Sequence, residues 1–382
     1  MSNIWYFTVV NESNAAYRVR ERWLQEYVEK LVRNFQVVDL VHLKKNLPST
    51  WCSDNISEDD VIIISGYGRR PHTWLKETMG DLWNKVVKVW NLCDNYLSFP
   101  GARDEPALQH IQYLFRNTDH LVTSSKFLQK DLSRFRLDPI YIVQDPVSSA
   151  FQEIQPMRDH DELRLLWHGS ENGAYTCHWN KTIFDEIKKH RDKLPSKITL
   201  KMVTGWTVAS HNRGTLINEE WMSHNDGLDK GDVTVVYEPW LDEEQAQENY
   251  KWADFVIIPV DKYTLVKKMQ FHVKNLGCDM FVKSKSPNRV TEAIAAGVPV
   301  IASNIVDSYW EFRHYTPIVR DDQYITSIIN CLQNKESTMA KLHTGQNYIK
   351  DYYSFSTMAN QWKNILRKIG EQHENVNVEI VT

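Results

Sequence analysis

The sequence predicts an α/β fold built from two doubly wound domains of parallel strands. Short apolar runs without polar alternation recur along the chain, as expected of strands that helices cover on both faces. Stretches of helical periodicity separate these runs. The length of 382 residues suits two domains better than one core. Ligands of doubly wound domains bind at the carboxyl ends of the strands, so we expect a site in a cleft between two facing domains.

The first predicted domain covers residues 1–150 and alternates strands with helices. Its predicted strands cover residues 3–10, 35–43, 61–65, 86–92, 120–124 and 140–143. Its clearest helical patterns lie at residues 23–35, 104–117 and 125–136. Because a helix separates successive strands, these strands are expected to be parallel, with their carboxyl ends along one edge.

A second alternation follows a segment, residues 145–161, that carries two prolines and no periodicity and is therefore a predicted linker. The second domain is predicted to cover residues 160–355. Its predicted strands lie at residues 163–167, 198–203, 233–237, 255–260, 298–303 and 316–319. Asp242 and Gln245 resemble a capping box at the start of a helix. A last helix, residues 356–370, has one apolar side that needs a partner surface, and the residues from 371 onward are expected to be mobile.

Composition and charge exclude several functional classes. A net charge of −4 gives no general electrostatic case for nucleic acid or an anionic membrane. The chain has no apolar run of about 18 residues and no signal-peptide pattern, so we expect a cytoplasmic protein without membrane insertion. Scattered cysteines and the absence of metal-ligand or catalytic-serine motifs argue against a bound metal, a disulfide framework and serine chemistry.

The most informative stretch is residues 283–303, which reads KSKSPNRVTEAIAAGVPVIAS. Ser286 is a good helix cap and Pro287 a good first helical residue, so a helix is predicted to begin there. The free amides and dipole of a helix start favour an anion. Mobile positive charge around this start comes from Lys283, Lys285 and Arg289.

One carboxylate lies on the same predicted helix. Asn288 and Glu292 are four residues apart and share a face. A carboxylate at this distance from a phosphate site can accept hydrogen bonds from ribose hydroxyls. The alternative is an ordinary capped helix with a solvated Glu292.

This stretch, with NRVTEAIAAGVPVIAS at its core, resembles the nucleotide-sugar-binding half of GT-B glycosyltransferases of the group-one, glycogen-synthase-like family. LRLLWHGS resembles the first strand and glycine loop of that half, and ADFVIIPV resembles its late strand. YYSFSTMANQWKNIL resembles the helix that crosses back onto the first domain. The chain departs from the family pattern in one respect, because the usual pair of glutamates is reduced to Glu292, with Ser284 in place of the other.

The resemblance implies the roles of the donor-site residues. Glu292 would bind the ribose, and backbone amides near Asn288, Arg289 and Val290 would hold the diphosphate. Lys285 or Lys283 would offset its charge. Gly169 would let the backbone approach the donor, although a turn glycine is the simpler alternative. The same cleft is expected to include His168, Asn172 and Ser284. Glu238 and Trp240 lie where a base could be contacted, although packing is the better explanation for Trp240.

The first domain is expected to hold the acceptor. Gly66, Gly68, Arg69 and Arg70 follow one predicted strand and Asp94 follows another, which are cleft positions. Asp94 could orient or deprotonate an acceptor hydroxyl, or simply cap a loop. Arg18 and Arg22 share a helix face that is either an acceptor contact or a solvated basic surface.

The resulting functional hypothesis is transfer of a sugar from a nucleoside diphosphate sugar to an acceptor hydroxyl, with Asp94, Lys285 and Glu292 as the catalytic candidates. The resemblance implies retention of configuration, and no metal or cofactor is expected beyond the sugar nucleotide as co-substrate. A glycan or lipid-linked sugar is the expected acceptor. The lysine-rich segment 262–285 keeps a hydroxylated DNA base open as an alternative. A non-catalytic sugar-nucleotide-binding module and a sugar-nucleotide epimerase are further alternatives.

Overall fold

The structure is a computed structural model. It describes residues 1–8, 24–46, 48, 50–66, 69–92, 105–147, 151–158, 161–169, 178–204, 233–239, 242–260 and 283–381. Contacts between residues divide the chain into two compact units. The first unit comprises Met1–Pro146, Asn275–Ser286 and Tyr352–Thr382, and the second comprises Val147–Lys274 and Pro287–Asp351.

The first unit contains a six-stranded parallel sheet in the order β2-β1-β3-β4-β5-β6. The strands are β1 (Ile4–Thr8), β2 (Phe35–Asp39), β3 (Val61–Ser65), β4 (Val87–Leu92), β5 (His120–Thr123) and β6 (Ile140–Ile142). The helices between them are α1 (Leu24–Val28), α2 (Leu40–Asn46), α3 (Trp51–Asn55), α4 (Arg69–Met79), α5 (Glu105–Asn117) and α6 (Lys126–Leu132).

The second predicted strand is too long. Residues 35–43 are predicted as a strand, but β2 ends at Asp39 and helix α2 begins at Leu40. The Asp39 carboxylate accepts a hydrogen bond from the His42 amide at 3.0 Å, as a helix-capping side chain does. Asp39 therefore stops the strand although the apolar residues continue beyond it.

Alternate residues of β1 supply two cores on opposite faces of the first sheet. Trp5 and Phe7 join one cluster, and Ile4 and Tyr6 join the other. The second cluster also buries one side of helix α12 (Phe355–Gln372), and the Tyr6 and Trp362 rings meet edge to face at 5.8 Å. The apolar side predicted for residues 356–370 is thus buried on this sheet.

The prediction of a mobile C-terminal tail is wrong for the residues up to 381. The Ser2 amide donates to the Asn377 carbonyl at 3.1 Å, and the Arg33 amide donates to the Glu379 carbonyl at 3.0 Å. Val376, Val378 and Ile380 pack against the second cluster of the first unit. These apolar residues alternate with polar ones, a period-two pattern that predicts an extended segment on an apolar surface.

The second unit contains another six-stranded parallel sheet, in the order β12-β11-β10-β7-β8-β9. Its strands are β7 (Glu162–Gly169), β8 (Lys197–Thr204), β9 (Val233–Pro239), β10 (Phe255–Ile258), β11 (Val300–Ser303) and β12 (Ile318–Val319). Its helices are α7 (His178–Lys189), α8 (Glu243–Trp252), α9 (Asn288–Ala295), α10 (Tyr324–Gln333) and α11 (Lys335–Tyr352).

The strand order of the second unit defines where a ligand would bind. The chain runs from β7 outward to β9 on one side and from β10 outward to β12 on the other. The order therefore reverses between β7 and β10, and ligands of such sheets bind at this point, outside the carboxyl ends of the strands. The predicted α/β class with two doubly wound sheets is confirmed. Among the helices that the structure describes, none is long and apolar enough to cross a membrane.

Candidate functional site

Helix α9 begins one residue later than predicted. Pro287, not Ser286, occupies the cap position, and no described side chain caps the helix start. The Pro287 carbonyl accepts hydrogen bonds from the amides of Val290 at 2.8 Å and Thr291 at 3.1 Å. Proline is tolerated at this cap position because no hydrogen bond within the helix requires an amide hydrogen from it.

The amides of the first turn divide into two kinds. The Val290 amide, predicted to contact a diphosphate, is already bonded within the turn. The Asn288 and Arg289 amides make no hydrogen bond to any residue in the described parts of the chain. These two amides are therefore the helix donors that suit an anionic ligand.

Glu292 is a buried carboxylate on α9. Its exposed fraction is 7%, so the alternative of a solvated glutamate is wrong. It lies close enough to Tyr250 of α8 for its negative charge to contribute, after burial, to raising the pKa of that phenol well above the ordinary value. A buried carboxylate is retained in proteins where hydrogen-bond donors or positive charge compensate it.

His168, near the end of β7, is held from two sides. Its Nε2 lies 3.0 Å from the Tyr250 hydroxyl, and the two rings meet edge to face at 5.6 Å. Its carbonyl oxygen accepts a hydrogen bond from Arg289 Nη1 at 3.5 Å. Burial and, after it, the Arg289 charge lower the pKa of His168 to about 3, so the imidazole is neutral at physiological pH.

Arg289 is the electrostatic centre of this group. Its positive charge acts on His168 and Tyr250, and also lowers the otherwise strongly raised pKa of Tyr324. The Tyr324 hydroxyl donates to the carbonyl of Ile258, the last residue of β10, at 3.4 Å. Arg289 is thus flanked by the carboxyl ends of β7 and β10, where the strand order reverses.

Gly169 is required by packing. A methyl group at its Cα would lie 2.8 Å from Cζ2 of the buried Trp167 ring and 3.3 Å from Arg289 Nη1. Neither a turn nor an unusual backbone angle is needed to explain this glycine. Its lack of a side chain lets Arg289 reach the end of β7.

Glu238 of β9 takes part in a polar cluster. Its Oε1 lies 3.1 Å from Lys201 Nζ of β8, and the same ammonium donates to Asn249 Oδ1 at 2.9 Å and lies over the Trp252 ring at 4.4 Å. Glu238, one of the predicted donor-binding residues, is therefore engaged in an ion pair with Lys201. The role of Glu238 in contacting a base stays a prediction.

Tyr250 and Lys201 are not among the predicted site residues, although the sequence around each contains an indication of its role. Tyr250 lies in the last turn of α8, the helix that precedes the apolar strand β10. The Asp242 cap predicted for this helix is confirmed, since Asp242 Oδ1 accepts from the Gln245 amide at 2.8 Å. Lys201 interrupts the apolar strand ITLKMV. A lysine within such a strand indicates a buried partner.

The basic residues that precede α9 differ in exposure. Lys283 is exposed, Lys285 is half-buried, and Ser284, which replaces the first family glutamate, is buried with an exposed fraction of 1%. Ser284 and Lys285 both have partners. Their predicted roles in donor binding stay predictions.

Several predicted residues lie outside the described residues: Arg18, Arg22, Gly68, Asp94, Asn172, Trp240 and residues 262–282 of the lysine-rich segment. Arg69 and Arg70 form the start of α4. Gly66 follows β3 with a φ of 66°, a backbone angle that glycine adopts readily, and its carbonyl accepts from Trp90 Nε1 at 2.8 Å.

A cavity of about 560 Å³ lies at the other edge of the second sheet. Its lining includes Glu162 at the start of β7, Asp254 just before β10 and Pro299 just before β11. These are the amino ends of the strands, whereas His168 and Gly169 lie at the carboxyl end of β7. Within the described ranges, no cluster of three or more histidine, cysteine or acidic residues has an arrangement that could hold a metal ion.

Comparison with known proteins gives structural matches. No family model and no curated protein sequence matches the chain. The trehalose-6-phosphate synthase OtsA superposes with a TM-score of 0.62 at 9% identity, covering 97% of this chain and 99% of that one. The α,α-trehalose-6-phosphate synthase of Burkholderia multivorans superposes with a TM-score of 0.58 at 10% identity, covering 97% and 98%.

A variant of TarM from S. aureus, in complex with Fondaparinux, α-GlcNAc-glycerol and UDP, superposes with a TM-score of 0.53 at 12% identity. The alignment covers 85% of this chain and 57% of the TarM chain. Identities this low establish the fold alone. The resemblance drawn from residues 283–303 is confirmed at that level, and the chain has the fold of GT-B glycosyltransferases.

Proposed function

We propose that this protein is a glycosyltransferase that moves a sugar from a nucleoside diphosphate sugar to an acceptor hydroxyl. The observation that carries the proposal is that the buried Glu292 lies one turn along α9 from the backbone amides of Asn288 and Arg289. No described residue accepts a hydrogen bond from either amide. This group lies beside the point where the strand order of a GT-B fold reverses. A carboxylate and an anion site at that spacing suit the ribose and the diphosphate of one nucleotide.

The diphosphate is assigned to the start of α9. The two amides and the helix dipole stabilise negative charge there. The Arg289 guanidinium supplies a full positive charge, and Lys285 and Lys283 are candidates for adding more. Arginine suits this role because its planar fork donates two parallel hydrogen bonds to phosphate oxygens.

The reaction needs no strong protein nucleophile. The acceptor hydroxyl attacks the anomeric carbon as the bond to the diphosphate oxygen breaks, and that oxygen takes the hydroxyl proton. Arg289 and the α9 amides stabilise the charge that develops on the leaving group, an electrostatic contribution that is usually large in enzymes. We propose that configuration is retained and that no metal is required. Asp94 is the candidate for orienting the acceptor.

Structural neighbours guide the choice of donor for the first test. One neighbour, from E. coli, is bound with UDP-2-fluoro glucose, and another is a trehalose-6-phosphate synthase studied with bisubstrate glycomimetics for glycosyl transfer with retention. UDP-glucose, UDP-N-acetylglucosamine and their GDP and ADP counterparts therefore form the donor panel. A donor that binds the folded protein should raise the midpoint temperature of thermal unfolding by mass action.

The decisive assay follows donor cleavage. The full chain, with and without EDTA, is incubated with each donor and a panel of glycans, lipid-linked sugars and duplex DNA containing 5-hydroxymethylcytosine. Transfer with the anomeric configuration of the donor supports the proposal. Binding without hydrolysis or transfer would instead indicate a non-catalytic module, and an isomerised sugar formed without acceptor would indicate an epimerase.

The ribose role of Glu292 predicts a specific binding defect. Glu292→Gln removes charge-assisted hydrogen bonds worth roughly 1.5–3 kcal/mol, which corresponds to roughly 10- to 150-fold weaker UDP binding by calorimetry. The matched control is Glu248→Gln on α8, whose side chain is 65% exposed and pairs only with Lys251 among the residues described. Equal UDP affinity of wild type and Glu292→Gln would exclude the ribose role.

A further inference from the structure

The hydrogen bond between Tyr250 and His168 has a direction that the surroundings determine. The two atoms, the Tyr250 hydroxyl oxygen and His168 Nε2, are 3.0 Å apart. A neutral imidazole protonates one nitrogen and accepts at the other, so Nε2 either accepts from the tyrosine or donates to it. The two cases leave opposite tautomers of His168.

Burial of the hydroxyl decides between the two cases. Tyr250 is only 4% exposed, and His168 Nε2 is the sole hydrogen-bond partner of its hydroxyl within the described part of the chain. If Nε2 donated, the buried O–H would have no acceptor, which is unfavourable. If the hydroxyl donates, both groups are satisfied. His168 then carries its proton on Nδ1.

The charges around the pair keep both groups in the required protonation states. Burial and the Arg289 charge lower the pKa of His168 to about 3, so the ring is neutral throughout the physiological range. Burial, with the Glu292 charge, raises the pKa of Tyr250 well above its ordinary value, so the hydroxyl keeps its proton. Among the residues that the structure describes, Arg289 and Glu292 are the charged groups that act on the pair.

We propose that Tyr250 is a positioning residue that holds His168 in the Nδ1–H tautomer and thereby directs one N–H donor at the end of β7. No residue in the described ranges accepts a hydrogen bond from His168 Nδ1. The donor is therefore available to an acceptor oxygen of a ligand. The ligand part of this inference rests on the proposed function, in which that oxygen belongs to the sugar nucleotide bound beside Arg289.

Nitrogen NMR of the nucleotide-free full chain, labelled with ¹⁵N-histidine, tests the tautomer directly. The His168 signals are assigned by their loss in His168→Gln. We expect a protonated Nδ1 and an unprotonated Nε2 in the wild type, and loss of this single tautomer in Tyr250→Phe, which keeps the ring and removes only the hydroxyl. A wild-type protein with its proton on Nε2, or an unchanged His168 spectrum in Tyr250→Phe, would overturn the proposal.

A second readout separates positioning from general stability. UDP affinity should fall roughly 3- to 10-fold in Tyr250→Phe, as expected when one neutral hydrogen bond is lost. The matched control is Tyr348→Phe, which removes a hydroxyl that donates to Glu311 Oε1 at 2.6 Å and should leave the His168 spectrum and UDP affinity unchanged. An equal loss of UDP affinity in both variants would refute the positioning role.

The two proposals fail differently. If no nucleoside diphosphate binds the wild type, the proposed function fails, while the NMR spectrum of the nucleotide-free protein still decides the tautomer. If Tyr250→Phe does not fold, the wild-type tautomer alone decides: protonation at Nδ1 supports the inference and protonation at Nε2 rejects it.

Discussion

Replacing Gly169 by alanine should couple a packing defect to a loss of nucleotide binding. The added methyl group would lie 2.8 Å and 2.9 Å from two carbons of the Trp167 ring, closer than real contacts of this kind. Trp167 is 1% exposed and cannot move aside without disturbing the core of the second unit. Such overpacking typically costs about 1–3 kcal/mol.

The same methyl group would lie 3.3 Å from Arg289 Nη1. It would push the guanidinium away from the end of β7, where it donates to the His168 carbonyl. In the proposed function Arg289 binds the diphosphate. Because a hydrogen bond to a charged group is worth about 1.5–3 kcal/mol, UDP affinity should fall at least about 10-fold. Differential scanning fluorimetry measures the stability change and calorimetry the affinity.

Gly345 provides the matched control for this variant. A methyl group at Gly345, in α11, would lie 2.9 Å from Tyr315 Cβ and 3.1 Å from its Cγ, so Gly345→Ala is crowded to a similar degree. We expect both variants to unfold at lower temperature, by roughly 2–4 °C for each kcal/mol lost in a domain of this size. Only Gly169→Ala should also lose UDP affinity. Equal UDP affinity in Gly169→Ala and wild type, or equal losses in both glycine variants, would show that Gly169 does not control the position of Arg289.

Two further predictions concern stability. Asp242→Ala removes the cap of α8 and should cost about 0.5–2 kcal/mol in urea unfolding, whereas Asp242→Asn, which can still cap, should cost less. His72 is buried, and burial, followed by the His110 charge, lowers its pKa to about 3, below the ordinary value. The unfolded chain therefore binds this proton first, so stability should fall as the pH drops below about 6.5, by about 2 kcal/mol at pH 5. His72→Gln should flatten this dependence, and an identical pH profile in that variant would contradict the assignment.

Short-range sequence patterns were sufficient to predict most of the fold. Parallel strands covered on both faces are read as apolar runs, so all the strands of both sheets are predicted close to their observed places. Two of the errors have different local causes. Asp39 caps α2 inside an apolar stretch, and the alternation of Val376, Val378 and Ile380 is too short to stand out from a polar tail.

For the candidate site, too, the features set by neighbouring residues could be predicted, whereas the contacts between distant residues could not. The segment around α9 could be predicted, because a proline at a helix start and a carboxylate one turn later are neighbours in the chain. Tyr250 could not be assigned, since it meets His168 across 82 residues of sequence, and Arg289 meets the same histidine across 121. A lysine within an apolar strand indicates a buried partner for Lys201, but the sequence does not identify that partner as Glu238 of the adjacent strand.

The order of strands and helices, the α/β class, and a helix start that favours an anion and carries one carboxylate could all be predicted from the sequence. These features follow from periodicity and capping, which act over a few residues. Three features of the site arise only in the folded chain: Glu292 is buried, Gly169 makes room for Arg289, and Tyr250 bonds to His168. Such contacts depend on which strands are neighbours, and β10 pairs with β7 only because the chain returns to the centre of the sheet after β9.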